Sequence, residues 1–206
     1  MNAPYFLQKN NYIETISIDS LQYYGERVKG KNRNWNPYKS KLGAGIVKGL
    51  KQLSLTESSK ILYLGSATGT TISHLSDILR QGSIYAVDIS RDMMIKCMKL
   101  VYLRDNITPF LLDASKTNFT EQFDMLFQDI SCKEQVGILI HNSAFVKREG
   151  SILLSLKTQS IDSSRPPKEI MKEQKILLEK EFSVIELINL EPYEKHHWLF
   201  HLKKRL

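Results

Sequence analysis

From Lys60 onward the chain alternates between short apolar runs and stretches with helical spacing. The apolar runs Ile61–Leu64, Ile84–Asp88, Thr108–Asp113, Phe123–Asp129 and Ser151–Lys157 predict strands. Between and after them, Thr70–Leu79, Met93–Tyr102, Glu134–Phe145 and Lys168–Lys180 predict helices. In the last of these, Ile170, Met171, Leu177 and Leu178 share one face. Two further strand-like runs, Phe182–Asn189 and Trp198–Lys203, close the chain across the short loop Leu190–His197. Alternating strands and helices predict an α/β architecture with helices on both faces of a parallel sheet. A final connection without a helix predicts an antiparallel last strand. The expected sheet therefore has seven strands, mostly parallel, with one antiparallel.

Residues 1–55 follow a different pattern. Tyr12–Ser17 alternates in part, and Tyr23–Val28 is short and bounded by turns, so both predict strands. Basic and polar residues fill Lys29–Lys41 around Asn36-Pro37. Leu42, Ile46, Val47, Leu50 and Leu53 then recur at helical spacing and predict a helix over Leu42–Leu53.

Composition narrows the class. With 206 residues, 42% of them hydrophobic, the chain can build a full core. Its 29 Lys and Arg against 22 Asp and Glu give a formal charge of +7, which favours a polyanionic partner without requiring one. Cys97 and Cys132 are too few for a disulfide framework or a zinc site, so a reducing compartment is expected. The opening MNAPYFLQKN has no continuous apolar segment and does not read as a signal peptide. No apolar run approaches the ~18 residues of a membrane span, so no membrane association is expected.

The segment Ile61–Asp77, ILYLGSATGTTISHLSD, carries the first chemical signal. An apolar strand runs into a turn with Gly65 and Gly69, which permit unusual dihedrals and close approach of a ligand. Ser66, Ala67 and Thr68 keep that turn small, and Thr70 and Thr71 bring hydroxyls and free N–H groups to a helix start. The spacing is G-x-x-x-G rather than G-x-G-x-x-G, which points away from a dinucleotide. It suits S-adenosylmethionine (SAM), whose anionic end is a single carboxylate. Asp88 ends the next strand at the spacing of a ribose-binding acid, and Asp113 ends the third strand, within reach of an adenine amino group. Taken singly, these residues also read as a plain turn with solvated strand-end caps. By analogy, a seven-stranded sheet with one reversed strand is the Rossmann-like fold of SAM methyltransferases.

Beyond these features the chain resembles the fibrillarin family of SAM-dependent RNA 2′-O-methyltransferases. The resemblance rests on YGERV at 24–28, RNWNPYKSKL at 33–42, LYLGSATGTTISHLSD at 62–77, YAVDIS at 85–90, DAS at 113–115, DMLFQDIS at 124–131, LSLKTQSID at 154–162 and LEPYEKHH at 190–197. It covers nearly the whole chain from Tyr24, and residues 1–22 carry no distinctive match. It implies a small N-terminal β domain, residues 1–55, followed by a methyltransferase domain, 56–206. It implies a catalytic tetrad of Lys41, Asp129, Lys157 and His197. SAM would contact Gly65, Ala67, Gly69, Thr70, Thr71, Asp88, Ile89, Asp113, Ala114, Asp129, Ile130 and Cys132. The implied partners are a box C/D guide RNA, target rRNA or tRNA, a Nop-family scaffold and a kink-turn-binding protein of ribosomal type. The lack of a Gly/Arg-rich extension looks like the archaeal form, with a cytoplasmic setting. This chain departs from the family pattern in several places. Ser66 and Thr68 stand where Ala and Ser are usual, Asp88 where Glu is common, Cys132 where Gln is usual, and His196 where an Asp normally precedes His197.

The implied chemistry is physically reasonable. A ribose 2′-hydroxyl is a poor nucleophile, so positioning and a nearby base must contribute. Lys157 ends a strand, and a second cation at Lys41 would favour its neutral form. Asp129 can orient Lys157, and His197 can orient the ribose or a lysine. No metal is expected, because His196-His197 lacks a third ligand at suitable spacing. His74 and His141 read as surface or packing residues, and Trp35 as either a base-stacking or an interdomain packing residue. Phosphates could meet Lys29, Lys31, Arg33, Lys39, Arg165 and Lys168, while Lys203-Lys204-Arg205 could add a patch or solvate the end. The helices at 134–145 and 168–180 are candidate docking faces. Other readings are a stand-alone SAM methyltransferase on another acceptor and a non-catalytic scaffold. An NAD-linked dehydrogenase is disfavoured by the loop spacing.

Overall fold

The computed structural model describes residues 5–9 and 12–205. Residues 1–4, part of the segment read as lacking a signal peptide, lie outside them. Two sheets are formed. The first has four antiparallel strands, β1 (Phe6–Lys9), β2 (Tyr12–Ile16), β3 (Val28–Lys29) and β4 (Asn32–Asn34), in the order β1-β2-β4-β3. The second contains β5 (Lys60–Leu64), β6 (Ser83–Asp88), β7 (Ile107–Leu111), β8 (Phe123–Gln128), β9 (Val146–Lys157), β10 (Phe182–Asn189) and β11 (His197–Lys204). Its order is β10-β11-β9-β8-β5-β6-β7, and β11 alone runs against its neighbours. This is the expected seven-stranded Rossmann-like sheet with one reversed strand. The turn between β10 and β11 is too short for a crossover, which forces the reversal.

Helices α1 (Lys41–Val47), α2 (Thr70–Ile78), α3 (Arg91–Val101), α4 (Gln135–Ser143), α5 (Thr158–Ile161) and α6 (Pro167–Glu181) complete the chain. Central strands β5 and β8 are nearly all apolar because both faces are covered: Ile61, Leu62, Leu64, Leu126 and Phe127 are fully buried. Pro109 fits β7 because β7 is an edge strand, where the missing N–H costs no ladder bond.

Several expectations need correction. Tyr23–Val28 is mostly a loop rather than a strand. The Glu26 carboxylate accepts the N–H groups of Tyr23 (3.1 Å) and Tyr24 (2.7 Å), which curls the segment, and only Val28 joins a sheet. The helix expected over Leu42–Leu53 stops at Val47. Gly49 turns left-handed (φ 104°), and Leu50 and Leu53 are buried from extended chain instead. Trp35 is fully buried and stacks on His74 with centroids 4.9 Å apart, so it cannot meet a base. Arg33 is buried too, and cannot follow a phosphate backbone.

Arg33 belongs to a buried charge cluster that joins the small sheet to the large one. At its centre is Asp77 of α2, fully buried. Asp77 meets Arg33 Nη1 at 3.0 Å and Arg104 Nη1 at 2.7 Å. It also accepts from the Thr15 hydroxyl of β2 (2.8 Å) and the Ile18 N–H (3.1 Å). Arg33 reaches Glu26 at 3.1 Å, and Arg104 reaches Asp19 at 3.2 Å. His74, beside this cluster, has its pKa pushed well down by burial and by the two guanidinium groups, and bonds Thr15 through Nδ1 at 2.9 Å. Asp77→Asn keeps the shape but leaves two buried guanidinium groups short of an anion. The expected loss is about 3–5 kcal/mol of unfolding free energy, read in urea as a lower midpoint at unchanged slope.

Candidate active site

The chain leaves β5 toward β6 on one side and returns at β8 on the other, so the β5 and β8 ends flank the topological switch point. Gly65 sits there at φ 85°, and a Cβ on it would stand 2.3 Å from the Asp129 carbonyl oxygen. The Asp129 N–H donates to the Leu64 carbonyl at 2.9 Å, locking the crossing. Gly65 is thus required by backbone packing as well as by the ligand approach expected from sequence. Ala67 is left-handed (φ 47°) and is held so by Asp88, whose Oδ2 accepts its N–H at 2.7 Å. Asp88 Oδ1 accepts the Ser90 N–H at 2.8 Å. Each Asp88 oxygen therefore spends one lone pair on the loop and keeps capacity for another donor.

A cavity of about 340 Å³ opens over these strand ends. Gly65, Ala67, Asp88 and Ile89 line one side, and Asp113, Ala114, Asp129, Ile130 and Cys132 the rest. Val87, Leu112, Ser131 and Ile138 also line it and were not singled out in the sequence. The first three adjoin residues that were, whereas Ile138 carries no signal beyond being apolar on α4. Gly69, Thr70 and Thr71 stand outside the lining. Gly69 faces the Tyr24 hydroxyl and Cys97, the Thr71 hydroxyl bonds Ser40 at 2.9 Å, and Thr70 lines a separate polar hollow with Lys39. That bond takes one of the Thr71 hydroxyl's hydrogen-bonding positions and leaves others.

The volume lies within the range of about 300–1,000 Å³ typical of small-molecule sites. Ile89, 72% exposed, offers an open apolar surface beside the Asp88 and Asp113 carboxylates. The Ser115 N–H and hydroxyl hold the Asp113 carboxyl below the usual range, so it stays an acceptor at neutral pH. Burial raises the Cys132 thiol, which therefore stays neutral. Apolar faces with carboxylates at successive strand ends fit a cationic nucleoside such as SAM.

Asp129 also faces a second cluster. Its Oδ2 lies 3.3 Å from Lys41 Nζ at the start of α1, and Glu194 Oε1 lies 3.9 Å from the same nitrogen. Burial alone would lower the Lys41 pKa, but the Asp129 and Glu194 charges outweigh it and raise it, so Lys41 remains a cation. Asp129 pairs with Lys41, whereas the sequence reading had it orient Lys157. Glu194 was missed there, although it lies inside the LEPYEKHH segment.

Lys157 and His197 are directly opposed in the β9–β11 ladder, which sets both side chains on one face. Gln135 clamps the backbone of Lys157: its Oε1 accepts the Lys157 N–H at 2.9 Å, and its Nε2 donates to the Lys157 carbonyl at 3.0 Å. Nothing in the sequence singled out Gln135, because its two partners come from another strand. His197 is buried and bonds the Lys195 carbonyl through Nδ1 at 2.8 Å. A carbonyl can only accept, so Nδ1 carries the hydrogen. Burial pushes the His197 pKa down against the opposing pull of that carbonyl and Glu194. Neutral His197 therefore presents Nε2 as an acceptor.

The fibrillarin family model matches residues 2–205. The chain belongs to the fibrillarin family. A relative from Methanococcus aeolicus, named fibrillarin-like rRNA/tRNA 2′-O-methyltransferase, is 38% identical over 97% of this chain and 93% of its own. The fibrillarin of a solved fibrillarin/Nop5p complex superposes with a TM-score of 0.92 at 37% identity, covering 98% of each chain. Aeropyrum pernix fibrillarin with natively bound SAM superposes with a TM-score of 0.82 at 34% identity, covering 93% of this chain and 88% of that one.

Two outcomes are expected here. Gly65→Ala, strained at φ 85° and colliding with backbone, should abolish SAM binding in calorimetry while the far-UV spectrum persists. In a ¹⁵N NMR titration, His197 should protonate with a midpoint below the ordinary ~6.5, keeping Nδ1 protonated and Nε2 free above it.

Proposed function

We propose that this chain transfers a methyl group from SAM to ribose 2′-hydroxyls of rRNA and tRNA, directed by a box C/D guide RNA. The observation that carries the reading is the double position of Asp129: it lines the cavity and binds Lys41. Asp88 and Asp113, which line the cavity, would hold hydroxyl and amino donors of SAM, and Ile89 and Ile130 would cover its apolar faces. When bound, SAM supplies a methyl group on a positively charged sulfonium. Lys41 stays protonated between Asp129 and Glu194 and fixes the site's electrostatics. It does not serve as the base. Lys157, entering as the free amine, takes the 2′-hydroxyl proton and becomes an ammonium, and His197 Nε2 orients the ribose. Holding the oxygen near the cavity mouth supplies the remainder of the rate.

The named activity of the relatives and the Nop5p complex support RNA as acceptor and a Nop-family protein as scaffold. A kink-turn-binding protein completes the particle. A groove between α4 and α6, with Ile140 and Leu177 partly exposed, suits scaffold docking. Among the described residues no helix is long and apolar enough to cross a membrane. A cytoplasmic setting belongs to the same reading, as does the division into an N-terminal unit, 1–55, and a methyltransferase unit, 56–206.

The test is labelled methyl transfer to a guide-paired RNA by the reconstituted particle, mapped by nucleotide. We expect methylation at one guide-specified ribose, loss with a 2′-deoxy target, and near-complete loss with Lys157→Ala at unchanged SAM affinity. Transfer to another acceptor, or a SAM-loaded particle with no transfer, would refute the reading.

A further inference from the structure

Two tyrosines lie in the segments that carry Lys41 and Glu194 and have no role in the scheme above. Tyr38, in the 3₁₀ turn Pro37–Lys39, is 61% exposed. Its ring meets Tyr193 edge to face, with centroids 4.9 Å apart. The Asn36 side chain accepts the Tyr38 N–H at 2.9 Å and so fixes the turn. Tyr193 donates its N–H to the Leu190 carbonyl at 3.0 Å, and its half-buried ring packs on the apolar core. Tyr193 is therefore a rigid wall that holds Tyr38 in orientation and leaves a ring face open to solvent.

Both rings are tied to the reactive groups. Tyr38 lies three positions before Lys41, and Glu194, next to Tyr193, approaches that same lysine at 3.9 Å. Exposure alone does not mark a site. Tyr102 is 81% exposed, but it caps the far end of α3, at the edge of the sheet away from Asp88. Tyr38 is distinguished by its aromatic support and by its place beside Lys41. Exposed Lys39 follows Tyr38 in the chain and exposed Lys195 lies two positions after Tyr193, and the Lys39 amine donates to the Tyr24 carbonyl at 2.9 Å. An open, supported ring on a chain of formal charge +7 matches a phosphate-linked strand carrying flat bases.

We propose that Tyr38, backed by Tyr193, is a stacking subsite for a nucleobase of the RNA strand that carries the target ribose. The inference rests on the reading of RNA as acceptor. Stacking on a ring face tolerates any base, which suits an enzyme whose target is chosen by pairing elsewhere. A pre-oriented ring also loses little freedom when the base arrives. The subsite would seat the strand so that its 2′-hydroxyl comes to Lys157 and His197.

The test places 5-iodouridine, which photocrosslinks to stacked aromatic rings, at each position flanking the target in the reconstituted, SAM-loaded particle. Crosslinks are mapped by mass spectrometry. The expected result is a crosslink to Tyr38 from one position, kept in Tyr38→Phe and lost in Tyr38→Ala. Tyr38→Ala should also raise the RNA KM by about 5- to 150-fold, the range for losing one base–aromatic stack, with the SAM KM and kcat unchanged. No crosslink from any position together with an unchanged RNA KM overturns the proposal. So does a fall in SAM affinity, which would make the ring a packing element, or a crosslink from Tyr38 to the scaffold protein, which would assign the face to docking. Crosslinking reads the stack without turnover. A particle that crosslinks but transfers no methyl group therefore counts against the reaction and not against the subsite.

Discussion

The backbone crossing of Gly65 over Asp129 is the constraint on which the rest of the site depends. A side chain at residue 65 would have to occupy the space of the Asp129 carbonyl. With hydrogen there, the β5 and β8 loops close to contact, and the Asp129 N–H bonds the Leu64 carbonyl. That contact fixes where Asp129 emerges, and so where a carboxylate can serve both the cavity and Lys41. The Ala67–Asp88 bond repeats the device one strand over, with a carboxylate holding the loop in a left-handed turn. The cofactor edge is therefore preorganised by backbone contacts.

Lys41 needs a second constraint, because it enters from outside the large sheet. Ser40 caps α1 through the Gly43 N–H and bonds the Thr71 hydroxyl at 2.9 Å, which ties the start of α1 to α2. At the other end of α2, Asp77 gathers Thr15, Arg33 and Arg104 and seats the small sheet. Gly45 completes the fit, since a Cβ there would lie 2.2 Å from Leu199 of β11. Burying so many charges is costly, and it succeeds because each guanidinium finds a carboxylate. Position, more than net stability, is what this network supplies.

Much of this was legible in the sequence, and the parts that were not share a cause. The large sheet could be read because β5, β6, β8 and β9 are apolar runs between punctuating turns, and the strand-end acids followed from that register. Arg33, Trp35 and His74 could not be assigned, because a basic or aromatic side chain reads as surface until its buried partner is known. Those partners, Asp77 for Arg33, His74 for Trp35 and Thr15 for His74, lie tens of residues away in the chain. The Thr71–Ser40 bond was hidden for the same reason: it forms only once α1 has packed. Gln135 and Glu194 were missed because what they touch, the Lys157 backbone and the Lys41 amine, is brought to them by other elements.

His196 illustrates how a departure from the family pattern can be absorbed. The usual Asp at that position would add a negative charge beside His197. Here His197 is oriented by its own loop, because Nδ1–H donates to the Lys195 carbonyl whatever side chain residue 196 carries. His196 itself is left-handed (φ 59°), and its carbonyl accepts from the Thr158 N–H and hydroxyl, which anchors the loop to the end of β9. A negative charge is still present, since Glu194 acts on both Lys41 and His197. With Asp129 it sets two carboxylates against the Lys41 ammonium, next to a cavity fitted to a cation. The orientation of His197 is thus set by the backbone of its own loop, with a carboxylate supplied by a neighbouring residue of that loop.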